Sequence, residues 1–183
     1  LAIIEFFNLM MKILNKNKYL QLFFNSLFVF YIFTFSSIFY LFTGLLQLKI
    51  LVFLSLIFCI ASDIGGLIFG RMFKGPKLTK ISPNKTYAGS IGSFLFTILI
   101  SILFTYFVSD IFVLHRVMIL AFFVSFGCQV GDIFFSYLKR KAKIKDTGNI
   151  LPGHGGILDR IDGILLGLPV GIVITLSLYN IIS

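Results

Sequence analysis

Residues 19–48 read YLQLFFNSLFVFYIFTFSSIFYLFTGLLQL, thirty positions without one charged side chain. A helix that crosses roughly 30 Å of hydrocarbon needs about twenty residues at about 1.5 Å each. The run is overlong for one span and too short for two, so it reads as one tilted helix followed by a turn near Gly44. The rest of the chain repeats the theme: of 183 residues, 58% are apolar and only 13% charged, and Phe alone supplies 24. A soluble domain carries about 25% charged residues. The composition therefore predicts an all-α, polytopic integral membrane protein, since open strands would leave backbone groups unpaired in lipid.

Four further spans can be cut at 50–70, 88–109, 113–135 and 163–182, about five in all. Residues 1–18 form a separate N-terminal segment, apolar over 1–11 apart from Glu5. It reads as the end of a preceding helix or an interfacial segment. Residues 19–183 form the transmembrane domain, with polar loops at 71–87 and 136–162. Cys59 and Cys128 fall within spans and read as small buried hydrophobes with no disulfide framework.

The net charge of +9 would suit nucleic acid if the cations shared one surface, but they lie in short loops between spans. Lys12, Lys16 and Lys18 precede the first span; Arg71, Lys74, Lys77, Lys80 and Lys85 follow the second. Lys139, Arg140, Lys141, Lys143, Lys145 and Arg160 lie between the fourth and fifth. The alternate loops offer only Lys49, and Asp110 with Arg116. The positive-inside rule puts the N-terminal segment and both basic loops in the cytoplasm and the C-terminus outside. The cations thus orient a protein of the cell's inner membrane, and no nucleic-acid partner is expected.

That topology brings four acids to one membrane face. Asp63 and Asp132 lie late in spans that run toward the cytoplasm, and Asp159 and Asp162 open the fifth span there. Asp132, Ser136 and Lys139 follow one helical stripe at i, i+4 and i+7. Each acid also has a plain structural reading: Asp63 paired with Arg71, Asp132 balanced by Lys139, Asp159 as a helix cap. Taken together they suit a hard cation, since Mg²⁺ takes one or two carboxylates plus substrate phosphates. Pro152-Gly153-His154-Gly155-Gly156 is a turn whose backbone N–H groups could approach an anion.

The stretch from Ser136 through Lys139-Arg140, Lys145-Asp146, Pro152-Gly-His-Gly-Gly156, Asp159-Arg160 and Asp162 resembles the signature of the phosphatidate cytidylyltransferase (CDP-diacylglycerol synthase) family. Gly131-Asp132, Ser82-Pro-Asn-Lys-Thr-Tyr-Ala-Gly89, and Asp63 with Gly70-Arg71 resemble further elements of it, so the likeness covers about residues 50–183. Asn84, Tyr87 and Ala88 depart from the usual Lys, Trp and Glu, which removes an acid from that loop. The family usually carries more N-terminal transmembrane sequence, so further helices are expected ahead of Leu1.

The resemblance implies the reaction of CTP with phosphatidate to give CDP-diacylglycerol and pyrophosphate, at the bilayer surface and with Mg²⁺. A second, monovalent cation and a homodimer are compatible with it. It implies catalytic roles for Lys85, Asp132, Lys139, Arg140, His154, Asp159 and Arg160. Ser82, Thr86, Ser136, Lys145, Asp146, Gly153, Gly155 and Gly156 would contact substrate, and Asp132, Asp159, Asp162 and Asp63 would serve the metal. Two other readings stay open at this point: a CTP-dependent lipid-alcohol kinase of the dolichol or phytol type, and a non-catalytic transporter subunit.

Overall fold

The computed structural model describes residues 1–44, 46–108, 113–148 and 155–179. They form seven helices: α1 (Ala2–Ile13), α2 (Lys18–Phe42), α3 (Leu46–Phe73), α4 (Tyr87–Phe107), α5 (Leu114–Lys141), α6 (Leu158–Ile161) and α7 (Ile164–Tyr179). Five stretches are long and apolar enough to cross a membrane: Lys18–Phe42, Leu48–Phe73, Tyr87–Phe107, Leu114–Lys141 and Leu158–Ser177. The chain is an all-α polytopic membrane protein.

The overlong run resolves as expected into one helix and a turn. α2 stops at Phe42, Thr43 closes it with its hydroxyl on the Tyr40 carbonyl, and α3 has begun by Leu46. Two boundaries differ from the sequence reading. α5 continues through Lys141, so Ser136, Lys139 and Arg140 are helical rather than loop. The fifth span starts earlier than residue 163 and is broken at Asp162-Gly163 into a single turn and a long helix. Apolar periodicity could not reveal this, because the polar first turn was counted as loop.

The packing of α3, α4, α5 and α7 follows from their small residues. Lipid provides no hydrophobic drive between helices, so close backbone approach and interhelical hydrogen bonds must hold them. A Cβ on Gly65 of α3 would lie 2.6 Å from the Gly92 carbonyl oxygen of α4. One on Gly131 of α5 would lie 2.6 Å from the Asp162 carbonyl oxygen. Hydroxyls add glue across these seams: Ser93 donates to the Ser62 carbonyl at 2.7 Å, and Ser62 and Ser125 meet at 3.0 Å. Cys59 and Cys128 are buried free thiols beneath Gly167 of α7.

α2 stands at the edge, with Tyr19, Leu22, Phe30, Phe33, Tyr40 and Leu41 exposed. Phe42 at its end is buried against α3 and α7, and two further contacts lie lower on the helix. Phe28 stacks on Phe6 of α1 with ring centroids 3.9 Å apart. Higher up, the Tyr31 hydroxyl donates to the Leu165 carbonyl of α7. That carbonyl lies four residues before Pro169, which has no N–H to return the helical bond. Tyr31 thus satisfies the acceptor that Pro169 orphans.

Tyr31→Phe is expected to lower stability by about 1–2 kcal/mol, the cost of a buried acceptor left unpaired. The loss should shrink in a Pro169→Ala background, where a backbone N–H becomes available. Thermal unfolding of the four proteins in one detergent checks the cycle.

Candidate active site

Three separate segments meet at one end of the bundle. α1 lies against α5 and α6, the 74–86 loop reaches α5 through Arg140 Nε on the Ile81 carbonyl (3.4 Å), and the segment after α5 reaches α6 through Thr147 N–H on Asp159 (2.8 Å).

The loop from α3 to α4 is braced before it reaches the site. An isolated antiparallel bridge joins Lys77 to Thr86, the Leu78 N–H donates to the Lys85 carbonyl at 2.7 Å, and Lys85 N–H to the Ser82 carbonyl at 3.1 Å. Thr86 then caps α4, its hydroxyl accepting the Gly89 N–H at 3.1 Å. This bracing aims Lys85 across to α5, where its Nζ lies 2.5 Å from Asp132 Oδ2. Both side chains keep about a quarter of their surface, at 28% and 22% exposed.

Lys85 and Asp132 edge a cavity of about 490 Å³ between α3, α4 and α5. Asp63, Arg71, Asn84, Thr86, Ser90 and Gln129 also face it, with Leu67 and Leu78 supplying apolar wall. The Ser90 hydroxyl donates to Gln129 Oε1, which ties α4 to α5 beside the opening. Asp63 is exposed here and forms no ion pair with Arg71 among the described residues. Instead it lies within electrostatic reach of Asp132 and Lys85.

A second polar group adjoins the first. Asp162 interacts with Asp132, a contact made close by Gly163, where a Cβ would lie 2.7 Å from Asp132 Oδ1. Lys139, two turns along α5 from Asp132, bridges Asp159 Oδ1 at 2.7 Å and Asp162 Oδ2 at 3.5 Å. These three side chains are 11–15% exposed. The other oxygen of Asp159 accepts the Thr147 N–H at 2.8 Å and the Gly156 N–H at 3.2 Å. The acids therefore form a row, Asp63 to Asp132 to Asp162, with Asp159 joined to its end through Lys139.

Of the residues singled out in the sequence, the fold brings together Asp63, Lys85, Thr86, Asp132, Lys139, Asp159 and Asp162. Ser136 is half-buried one turn beyond Asp132. Gly155 has φ +82°, the left-handed conformation that favours glycine, beside Asp159 and Asp146. Ser82 serves the loop turn, Arg140 is exposed and holds the Ile81 and Ile144 carbonyls, and Lys145, Asp146 and Arg160 are exposed. Gly153 and His154 lie outside the described residues.

Sequence reasoning missed Glu5, Thr147, Ser90 and Gln129. Glu5 is only 2% exposed and its carboxylate accepts from Ile157 N–H at 3.0 Å and Leu158 N–H at 2.7 Å. Its signal was available: a lone acid on an apolar helix is too costly to bury without partners.

The fold and this row of acids and lysines define a polytopic membrane protein with a charged cleft at one end of its bundle. The chain belongs to the cytidylyltransferase family, whose sequence profile matches residues 1–178. It is 39% identical over 160 residues to a phosphatidate cytidylyltransferase of Rickettsia bellii, covering 75% of this chain and 69% of that protein. The phosphatidate cytidylyltransferase of Rickettsia prowazekii is 38% identical over 168 residues, 79% of this chain and 74% of its own. That of Helicobacter pylori is 40% identical over 113 residues, 61% of this chain and 42% of its own.

Lys139→Met leaves Asp159 and Asp162 buried without their shared cation, and should cost on the order of 3 kcal/mol. Adding Asp159→Asn should restore part of the loss. Thermal unfolding of the single and double variants decides it.

Proposed function

We propose that this protein transfers the cytidylyl group of CTP to phosphatidate, giving CDP-diacylglycerol and pyrophosphate at the cytoplasmic face of the inner membrane. Membership of the family supports the reaction class. The observation that carries the site is the row of Asp63, Asp132 and Asp162 with Lys85 and Lys139 set against it at one end of the bundle. The basic loops support the cytoplasmic orientation.

The chemistry asks for little acid–base help. The phosphate monoester of phosphatidate is already anionic, so one of its oxygens attacks the α-phosphorus of CTP without a base. The bond from the α-phosphorus to the bridging oxygen breaks, and pyrophosphate leaves with that oxygen. What must be supplied is alignment of three anionic groups and neutralisation of their charge. Lys85 and Lys139 are held where they can do so, and Arg71 faces the same cavity. Thr86, Ser90 and Asn84 offer hydrogen-bonding groups there for a headgroup or nucleotide. The acyl chains of phosphatidate remain in the bilayer while its headgroup reaches the cleft.

An all-carboxylate row suits a hard divalent cation. Among the described residues no three His, Cys, Asp or Glu side chains already converge as a metal site. Mg²⁺ takes one or two carboxylates and completes its shell with nucleotide phosphates and water. Asp132 and Asp162, neighbours across Gly163, are best placed to hold it, with Asp63 beside them and Asp159 reached through Lys139. When bound, Mg²⁺ would neutralise phosphate charge and act as a Lewis acid.

The test is an assay in proteoliposomes containing phosphatidate, with CTP labelled at the α- or the γ-phosphorus. Label at the α position should enter lipid and label at the γ position should leave as pyrophosphate. Transfer of γ label to lipid, with CDP released, would instead show a lipid kinase. Asp132→Asn and Asp162→Asn should each lower turnover by about a hundredfold or more at limiting Mg²⁺. Near-normal turnover in both variants would remove the metal assignment.

A further inference from the structure

Glu5 lies on α1, far in sequence from every charged residue of the cleft, yet it is among the most completely buried side chains of the molecule. Its Oε1 accepts the Ile157 N–H at 3.0 Å, and its Oε2 accepts the Leu158 N–H at 2.7 Å. Thr147 Oγ1 lies 3.0 Å from the same Oε2 and 3.1 Å from Asp159 Oδ2. One hydroxyl proton can serve only one of these carboxylates at a time. The close fit needs glycine on both sides: a Cβ on Gly148 or Gly156 would each lie 2.7 Å from a Glu5 oxygen.

We propose that Glu5 is a positioning residue for the active site. Its carboxylate clamps Thr147 to the 156–158 turn and so fixes the direction in which Asp159 faces Lys139 and Asp162. Asp159 depends on the same two points, since it accepts the backbone N–H groups of Thr147 and Gly156. A carboxylate is required because two backbone N–H groups donate to separate oxygens of it, and the Thr147 hydroxyl shares one of those oxygens. Glutamine has the same shape but one acceptor oxygen, and its NH₂ would face a donor. The docking of α1 does not rest on this group, because Phe6, Leu9 and Met10 are buried alongside and Phe6 stacks on Phe28. The kinetic consequence rests on the cytidylyl transfer proposed above; the clamp itself does not.

The experiment compares wild type, Glu5→Gln, Thr147→Val and the double variant of the full chain in proteoliposomes. Amide exchange is read over 155–161, and kcat and KM are read separately for CTP and phosphatidate. Glu5→Gln should speed exchange at Ile157 and Leu158 at least tenfold while leaving α3 and α4 unchanged. It should lower kcat/KM for CTP at least tenfold and leave KM for phosphatidate within twofold. The double variant should be little worse than the worse single one, since both break one clamp. Unchanged exchange, or faster exchange with kcat/KM for CTP within twofold of wild type, overturns the proposal. So does faster exchange throughout the bundle, which would make Glu5 a folding residue only. If wild type releases no pyrophosphate, the proposed function fails, and the exchange data alone decide the clamp.

Discussion

Lys139 is the constraint on which the charged end of this bundle depends. Its ammonium is nearly buried between Asp159 and Asp162, and α5 carries it at a fixed distance from Asp132. Placing several carboxylates at the edge of a membrane is expensive unless each has a partner. Here the partners come in a defined order: Lys85 on Asp132, Lys139 on Asp162 and Asp159, backbone N–H groups on Asp159 and Glu5. These bonds join the α3–α4 loop to α5, α5 to the α6 turn, and α1 to the start of α6, so satisfying the charges also assembles the cleft.

Small residues make that assembly possible. Gly131 and Gly163 let α5 and the break before α7 approach closely, which sets Asp162 beside Asp132. Gly65 and Gly92 do the same for α3 and α4, which brings Asp63 to the cavity from the other side. The break at Asp162-Gly163 is part of the site, since it sets Gly163 directly against Asp132. Lys139 holds both acids, while Asp159 also accepts from Thr147 and Asp162 lies beside Asp132.

Much of this was legible in the chain. Apolar runs gave five spans to within a few residues, because lipid admits almost no other use for such stretches. The placement of Lys and Arg brought the three polar segments to one end before any contact was known. The stripe of Asp132, Ser136 and Lys139 is a local helical relation and survives as such. What the chain hid was non-local. Nothing in the sequence pairs Glu5 with Leu158, 153 residues away, or Tyr31 with the carbonyl that Pro169 orphans, 134 residues away. Pro169 did announce an unpaired acceptor and Glu5 an unpaired charge, but a need for a partner does not name it.

The departure at Ala88 bears on this as well. The loop that lacks an acid still delivers Lys85 to Asp132, and Thr86 still caps α4. The proposed metal then draws on the acids of α3, α5 and the α6–α7 break alone. Anomalous scattering from crystals grown with Mn²⁺ in place of Mg²⁺, together with CTP, tests this most directly. The account predicts one strong peak within coordination distance of the Asp132 carboxylate and of the nucleotide triphosphate. A peak held only by Asp146 or other exposed acids, with Lys85 still on Asp132 and no metal beside it, would contradict it.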